Sequence, residues 1–311
     1  MQCNGVSLGM GLVVLSISVV SCQQSEPSSE TEDPVATVAP AQNKMVRLLA
    51  EGKPIFGVFS GEKTPEQAAA LVENNEIDFI FYSLEQGPFD LETMQAFMTG
   101  AVEASGAAGS REHPVILRIP PIRDGREEAE QKIHQALDTG VYSVVFPHVE
   151  NAEDAALAVR SMRYSSASAP GPAGTRPASV GAAPEYWGVA PEVYRAMADL
   201  WPLNPAGQLV SLLLIEDKVG IANAREIVST EGVSIVFPGP GDLRRAYERD
   251  AEAIEAAIQT VLAACKEFDV VCGITAGVDD IADRLAQGFR VIIVTQVEAI
   301  SVGRQAAGRT D

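Results

Sequence analysis

The chain has 311 residues, 46% of them hydrophobic, and its 42 acidic and 23 basic side chains give a net charge of −19 at pH 7. This length suits one large α/β barrel or two ordinary domains, and the hydrophobic content supports a substantial core. The acidic balance and the aromatic content of only 6% argue against nucleic acid as a partner and against charge-driven binding to anionic membranes, since both require a basic face.

The N-terminus contains an apolar run, Val6–Val20, that leads into Cys22. The run is too short to span a bilayer, and its small-residue end is typical of an export signal. Because the ending Val-Val-Ser-Cys resembles a bacterial lipobox, we predict that residues 1–22 form a lipoprotein-like signal peptide and that Cys22 is lipidated. No basic residue precedes the run, so a plain secretory signal is the alternative.

Residues 23–44 are predicted to be a flexible linker, because Gln23–Gln42 is rich in Ser, Glu, Pro and Thr and nearly free of large apolar residues. Such a linker would hold a folded domain off a membrane surface. We therefore expect a location in the bacterial cell envelope, on the periplasmic side, with the lipid anchor as the only membrane contact. A secreted or periplasmic protein is the alternative.

Strand-like and helix-like segments alternate from residue 45 to the end of the chain. The expected strands are Ile55–Phe59, Phe79–Tyr82, Val115–Leu117, Ser143–Phe146, the apolar runs before Glu216 and before Gly239, Val270–Ile274 and Val291–Thr295. The expected helices are Pro65–Asn74, Leu91–Ala104, Glu127–Leu137, Ala152–Met162, Pro191–Leu200, Val219–Gly232, Asp250–Phe268, Val278–Gln287 and Glu298–Ala307. Eight such alternations predict one (β/α)8 TIM barrel over residues 45–311. A doubly wound open sheet is the alternative, but no G-x-G-x-x-G follows the first strand.

Two further segments have features of their own. Ser165–Pro184 is too long and too rich in Ser, Ala, Gly and Pro for a plain connection, so we expect a functional lid or an ordered excursion. Cys265 and Cys272 fall late in a helix and in a strand, and we expect two buried free thiols rather than a disulfide.

The fifth and sixth strands end at acidic residues, Glu216 and Asp242. The helix-like segment between the strands makes a βαβ unit, so both carboxylates should emerge at the carboxyl end of a parallel sheet, where α/β proteins bind ligands. Two carboxylates meeting there repel each other unless a cation lies between them, which favours a hard divalent metal. The alternative for each residue alone is a helix cap at Glu216 and a Pro-Gly turn closed by Asp242.

Other strand ends carry Glu85, Arg118 and His148. An arginine there can hold a carboxylate or an enolate oxygen through two hydrogen bonds, and a salt bridge to Glu85 is a compatible alternative. For His148 we favour a capping or hydrogen-bonding role over a catalytic base. His113 and His134 are interpreted as loop and helix-surface residues.

Several motifs together resemble the HpcH/HpaI aldolase/citrate lyase family, over residues 45–307. They are DFIFYSLEQGPFD, LRIPP with Arg118, ALDTGVYSVVFPHVENAEDA, YSSASAPGPAGTRPAS, LLIED with Glu216 and FPGPGDL with Asp242. The resemblance implies a TIM barrel of the phosphoenolpyruvate/pyruvate type and a class II pyruvate aldolase.

The resemblance also implies how the site would work. Glu216 and Asp242 would bind Mg²⁺, Mn²⁺ or Co²⁺, and a 2-oxo acid would chelate that cation while Arg118 steadies the enolate. Glu85, together with the backbone at Gly239 and Pro240, is assigned to substrate binding. An aspartate matched by Asp138 belongs to the acid–base apparatus across a subunit boundary in the aldolases, which implies a homo-oligomer.

The chain departs from the aldolase pattern at the catalytic histidine, where it has Gln86; Ser83 also replaces the preceding aspartate, and Pro177 replaces a glycine. Because Gln cannot transfer a proton near neutral pH, general-base help worth about 10²–10⁴-fold in rate would be lost at this position.

The function predicted first is cleavage of a 4-hydroxy-2-oxo acid to pyruvate and an aldehyde. The alternatives are a citrate-lyase-type acyl lyase and an envelope protein that binds metal and 2-oxo acid without turnover. A Schiff-base aldolase is disfavoured, because Lys218 lies beyond its strand.

Overall fold

The computed structural model describes residues 42–311, with the side chains of residues 107 and 108 excepted. The predicted signal peptide, the lipidation site Cys22 and nearly all of the predicted linker lie outside this range. Among the helices of residues 42–311, none has both the length and the apolar character to cross a membrane.

Eight parallel strands close into a barrel in sequence order, with the first strand pairing to both the second and the last. The strands are β1 Ile55–Phe59, β2 Phe79–Ser83, β3 Val115–Arg118, β4 Ser143–Phe146, β5 Val210–Ile215, β6 Ile235–Pro238, β7 Val271–Ala276 and β8 Val291–Val294. The TIM-barrel prediction is confirmed. The doubly wound alternative is wrong, because this sheet has no open edge.

Helices connect the strands and surround the barrel. They are α1 Lys44–Ala50, α2 Pro65–Val72, α3 Leu91–Ser105, α4 Ala107–Glu112, α5 Arg126–Asp138, α6 Ala152–Met162, α7 Ala183–Trp187, α8 Pro191–Met197, α9 Lys218–Ala222, α10 Ala224–Val228, α11 Pro240–Ala246, α12 Ala251–Glu267, α13 Ile281–Gln287 and α14 Glu298–Ala306, with a 3₁₀ turn at Ile122–Asp124. Side-chain caps set several of the starting points. Thr64, Asp90, Asn151 and Asp250 each accept a hydrogen bond from a backbone N–H in the first turn of the following helix.

The segment between β5 and β6 differs from its prediction, because the expected single helix is two short ones separated at Asn223. The Asn223 side chain donates a hydrogen bond to the backbone oxygen of Glu150 at 2.8 Å. An asparagine that is held by another segment competes with helix geometry, and apolar periodicity does not report this competition.

The barrel interior is apolar and is closed at its amino end by α1. Residues on the inner faces of the strands, such as Phe79 and Leu212, form one buried cluster with Met45 and Leu48 of α1. A second, larger cluster lies between the strands and the outer helices. The two layers are those expected of a barrel whose strands are covered on both faces.

A buried carboxylate, Asp78, ties the two ends of the described chain together at the amino end of the barrel. It is fully buried and lies 3.0 Å from the ammonium of Lys44, and it accepts a hydrogen bond from Arg309 Nη2 at 3.1 Å. Its Oδ2 also accepts from the backbone N–H of Phe56 at 2.9 Å. The helix before β1 and the C-terminal segment are therefore fixed to the same residue.

The Ser165–Pro184 segment is an ordered excursion and does not cover the carboxyl end of the barrel. It follows α6, which runs antiparallel to the strands and so ends near their amino ends. The buried guanidinium of Arg163 holds the segment by donating to the backbone oxygens of Ala169 and Pro172 and by pairing with Asp199. The expectation of an ordered excursion is confirmed, and the lid alternative is not.

Cys265 and Cys272 are both buried and free, as expected. His134 is partly exposed on α5, and His113 lies in the loop between α4 and β3, as interpreted, although it is only 3% exposed.

Candidate active site

A cavity of about 440 Å³ opens at the carboxyl ends of the strands, which we call the mouth of the barrel. Residues predicted from sequence line it together: Arg118, Glu216, Gly239, Pro240 and Asp242. Its apolar wall comes from inward-facing strand residues, Phe81, Leu214, Phe237 and Ile293. The βα topology brings these residues to one mouth although they are spread over most of the chain.

Glu216 is the buried acid of the mouth, with 4% of its surface exposed. Its Oε2 accepts a hydrogen bond from the backbone N–H of His148 at 3.3 Å, and its Oε1 faces Gly239. Burial and then the neighbouring charge of Asp242 raise the pKa of Glu216 to about 7. The capping alternative for Glu216 is wrong, because Asp217 caps α9. A buried carboxylate that is costly to ionise beside another acid suits a cation site.

Asp242 lies in the first turn of α11, which begins at Pro240, rather than in a closing turn. Its Oδ1 lies 3.1 Å from Arg245 Nη1. Gly239 lets the backbone pass close to Glu216, since a Cβ at this position would overlap the Glu216 carboxylate and come within 2.6 Å of its Cγ. A glycine at this position therefore lets the backbone that leads to Asp242 pass next to the Glu216 carboxylate.

Arg118 is fixed by two partners at the end of β3. Its Nη2 lies 3.0 Å from Glu85 Oε2, and its Nε donates to Ser83 Oγ at 3.0 Å. Within residues 42–311 no acceptor takes a hydrogen bond from Nη1 of this guanidinium. The predicted salt bridge to Glu85 is present and leaves one edge of the guanidinium available to an anionic ligand.

The ring of His148 lies among carboxylates without hydrogen-bonding to them. Its backbone is left-handed, with φ 53°, and its ring nitrogens lie 3.8 Å from Glu85 Oε1 and 3.8 Å from Glu216 Oε2. Nδ1 is buried and makes no hydrogen bond in the described part of the chain, and Asn151 caps the following helix. The expected capping role is therefore wrong, and the hydrogen bond that His148 makes comes from its backbone N–H to Glu216.

The side chains around His148 have the chemistry of a metal site. One ligand atom each from Glu85, His148 and Glu216 lie within 4.8 Å of one another. Carboxylate oxygens and an imidazole nitrogen are common ligands of divalent metals, and the unpartnered ring nitrogen fits this use. The residues present therefore fit a divalent cation at the mouth.

Two predicted catalytic residues do not join this cavity in the same chain. Gln86 is exposed in the loop after β2 and does not line the cavity wall. Asp138 ends α5 at the amino end of the barrel, where it accepts hydrogen bonds from Arg176 at 3.1 Å and Ser179 at 2.7 Å. An acid–base role for Asp138 at a mouth would require the mouth of another subunit.

The cavity wall also includes residues that the strand-end reasoning did not select. Phe59 ends β1 and is 49% exposed, and Arg244 lines the cavity from α11. Phe59 could have been selected from the sequence, because it is a large apolar residue at the end of a predicted strand. Arg244 could not, because its position depends on α11, a helix that the sequence pattern did not predict. No lysine of residues 42–311 lines the cavity, and Lys218 instead lies over the Tyr247 ring, 5.2 Å from its centroid.

A family model, HpcH/HpaI aldolase/citrate lyase, matches residues 56–297. The chain belongs to this family. It is 32% identical over 273 residues to a hydroxypyruvate/pyruvate aldolase of Delftia acidovorans, which covers 85% of this chain and 90% of that protein. It is 25% identical over 269 residues to a 4-hydroxy-2-oxo-heptane-1,7-dioate aldolase of Shigella flexneri, covering 85% of this chain and 91% of that protein.

A solved structure of an HpcH/HpaI family protein from Burkholderia cenocepacia has the same fold, with a TM-score of 0.66 and 23% identity over 86% of this chain and 98% of that one. The family and these relatives are lyases and aldolases, which supports a lyase.

Proposed function

We propose that the protein is a metal-dependent carbon–carbon lyase that cleaves a 4-hydroxy-2-oxo acid to pyruvate and an aldehyde. The observation that carries the proposal is the position of Glu216, a buried carboxylate with a pKa of about 7, in one cavity with Asp242 and the guanidinium of Arg118. The names of the relatives, a hydroxypyruvate/pyruvate aldolase among them, support the same class of substrate.

Each residue of the site has a role in this reaction that follows from its chemistry. Glu216 and Asp242 would hold Mg²⁺, Mn²⁺ or Co²⁺, and the bound cation supplies Lewis-acid stabilisation of negative charge on the keto oxygen. The open edge of Arg118 binds the carboxylate or enolate oxygen of the 2-oxo acid, while Glu85 holds the other edge. The backbone at Gly239 and Pro240 lines the cavity, and the substrate can approach it closely because Gly239 has no side chain.

Cleavage breaks the C3–C4 bond of the substrate. The 4-hydroxyl loses its proton as the aldehyde carbonyl forms, and the bonding pair passes to the pyruvate enolate, which is later protonated at C3. Gln86 cannot accept the hydroxyl proton. We therefore assign this proton transfer to another group, and Asp138 of a second subunit in a homo-oligomer is the candidate supported by the family resemblance.

The test is a screen of 2-oxo acids and 4-hydroxy-2-oxo acids with Mn²⁺, Mg²⁺ or Co²⁺, and with EDTA, that measures pyruvate release. Metal-dependent release from at least one 4-hydroxy-2-oxo acid is expected. Gln86→His should increase turnover roughly tenfold or more, because residue 86 follows Glu85, the partner of Arg118, and the change restores a proton-transferring side chain in this loop. Gln95→His, a change on α3 outside the loop after β2, is the control and should have no effect. Metal-independent release, or borohydride trapping of pyruvate on a lysine, would contradict the proposal.

A second candidate is an envelope protein that binds metal and 2-oxo acid without turnover, and Gln86 is the observation that favours it. Calorimetry would then show metal-dependent binding of pyruvate while no 4-hydroxy-2-oxo acid is cleaved. A citrate-lyase-type acyl lyase is distinguished in the same screen, because it would release an acyl product rather than an aldehyde.

We also propose that the protein is anchored by lipid at Cys22, on the periplasmic side of a bacterial membrane. The support is the sequence from Val6 to Cys22 and the polar linker that follows. Cells given a labelled lipid precursor should label the wild type and not the Cys22→Ala variant. Equal absence of label from both would refute the anchor.

A further inference from the structure

The imidazole of His148 is close to three carboxylates, those of Glu85, Glu216 and Asp217, but too far from each for a hydrogen bond. Its Nε2 lies 3.8 Å from Glu85 Oε1 and its Nδ1 lies 3.8 Å from Glu216 Oε2. Hydrogen bonds of this kind span about 2.7–3.2 Å. A proton on the ring would therefore not join these groups in the arrangement that the structure shows.

Glu85 and Glu216 each direct one carboxylate oxygen toward the His148 ring, while the other oxygen contacts a different residue. Glu85 has its Oε2 on Arg118 at 3.0 Å and its Oε1 toward the ring. Glu216 has its Oε1 against Gly239 and its Oε2 toward the ring. One ring nitrogen of His148 and one oxygen of each acid, from three different strand ends, lie within 4.8 Å of one another.

The spacing of these atoms suits a metal ion. With metal–ligand bonds of about 2.0–2.2 Å, two ligand atoms lie about 3.0 Å apart at a right angle and about 4.2 Å apart on opposite sides. The 3.8 Å separations start from different ring nitrogens, Nε2 toward Glu85 and Nδ1 toward Glu216, and a cation would bind only one of the two. The three atoms lie within 4.8 Å of one another, so a small contraction would bring all of them into contact with one cation.

The backbone of His148 supports a special role for its ring. The residue has φ 53°, in the left-handed region that non-glycine residues rarely adopt. Strained residues of this kind concentrate at functional sites, where the surrounding structure holds them in place. The ring that this backbone carries has a buried Nδ1 without a hydrogen-bond partner in residues 42–311.

We propose that His148 is a nitrogen ligand of the cation that Glu216 holds, with Glu85 as a further oxygen ligand, and that the site consequently prefers Co²⁺ or Zn²⁺ to Mg²⁺. Imidazole nitrogen suits transition metals, whereas Mg²⁺ favours sites made of oxygen alone. The inference rests on the proposed function, because it assumes a divalent cation at Glu216. Asp242 is paired with Arg245 and comes three residues after Gly239, which faces Oε1 of the same carboxylate.

The first experiment detects the nitrogen ligand directly. The full chain is loaded with Mn²⁺ and studied by electron spin-echo envelope modulation, which reports nitrogen nuclei bound to the metal. We expect ¹⁴N modulation in the wild type, and its replacement by the ¹⁵N pattern when the protein is made with ¹⁵N-histidine. This isotope test needs no variant and so does not depend on whether a substituted chain folds.

The second experiment uses His148→Asn, which removes the imidazole while keeping a residue that tolerates a left-handed backbone. It should abolish the nitrogen modulation and weaken Co²⁺ binding roughly tenfold or more in calorimetry, while Mg²⁺ binding changes much less. The matched control is His134→Asn, because His134 also has a buried, unpartnered ring nitrogen but lies on α5, outside the group formed by Glu85, His148 and Glu216. The control should leave both readouts unchanged.

The outcomes separate this inference from the proposed function. Mn²⁺ that binds the wild type and supports pyruvate release without nitrogen modulation would overturn the His148 ligand and leave the lyase standing. Modulation that survives in His148→Asn, or equal losses of Co²⁺ and Mg²⁺ affinity, would also overturn it. A wild-type chain that binds no divalent cation would overturn both.

Discussion

The guanidinium of Arg118 lies 3.0 Å from the carboxylate of Glu85, across the ends of β3 and β2. This ion pair leaves Nη1 of Arg118 available to a ligand. Ser83 also holds the guanidinium, because its Oγ accepts a hydrogen bond from Nε. The ion pair with Glu85 orients the Arg118 guanidinium, and this orientation sets the direction from which Arg118 can hold an anionic substrate.

Arg118→Lys should lower kcat/KM for a 4-hydroxy-2-oxo acid by roughly 10–100-fold, because an ammonium cannot bond Glu85 and the substrate in the same planar geometry. Steady-state kinetics of pyruvate release measures the effect. Arg225→Lys is the matched control, since Arg225 pairs with Glu267 on the surface of α10. Unchanged kinetics in Arg118→Lys would contradict the assigned role.

Gly239→Ala should weaken the binding of divalent cations while the barrel stays folded. The added Cβ would overlap the Glu216 carboxylate, so that side chain must leave its position. Gly241→Ala is the matched control, because a Cβ there meets no atom within 4 Å. Calorimetric titration with Mn²⁺ should show a loss of roughly tenfold or more for the first variant and almost none for the second. Similar losses in both would mean that the overlap does not matter.

Cation affinity should depend on pH through Glu216. Its pKa is raised to about 7 by burial and by Asp242, so a proton competes with the cation below that pH. Affinity for Mn²⁺ should therefore increase by up to about tenfold per pH unit from pH 5.5 to 7 and then level off. Equilibrium binding measured between pH 5.5 and 8 checks this, and a flat profile would contradict it.

The same shift predicts the sign of the stability change in the cation-free protein. A raised carboxyl pKa favours the protonated folded state, so the contribution of Glu216 to stability is complete below its unfolded pKa of about 4.3 and is lost as pH rises through about 7. Urea unfolding in EDTA should show this decrease. Asp242→Asn should move it to lower pH, because the charge of Asp242 helps to raise the pKa of Glu216.

Asp78→Asn should lower the free energy of unfolding by about 3–5 kcal/mol, because it leaves buried cations without their partner. Lys44 and Arg309 both contact Asp78, which is fully buried. Urea denaturation followed by circular dichroism measures the loss. Glu267→Gln breaks an exposed ion pair with Arg225 and should change stability far less. A small effect of Asp78→Asn would show that the network is not needed to fasten the chain ends.

The sequence by itself determined the barrel and the shared mouth. Eight apolar runs separated by helical segments specify parallel strands, and the carboxyl ends of such strands meet at one side of the sheet. Glu216, Asp242 and Arg118 could be placed together for that reason. Burial of the strands on both faces made each run recognisable without any knowledge of its neighbours.

Only the tertiary structure decided the position of the His148 ring and the place of Asp138. A hydrophobic pattern reports which face is buried, but it does not report a left-handed backbone or the direction of a polar ring between acids that are distant in sequence. Likewise, helices run antiparallel to the strands, so Asp138 and its partner Arg176 lie at the end of the barrel opposite the mouth. Side-chain direction and the end of a helix depend on contacts with distant segments, and those contacts form only when the barrel closes.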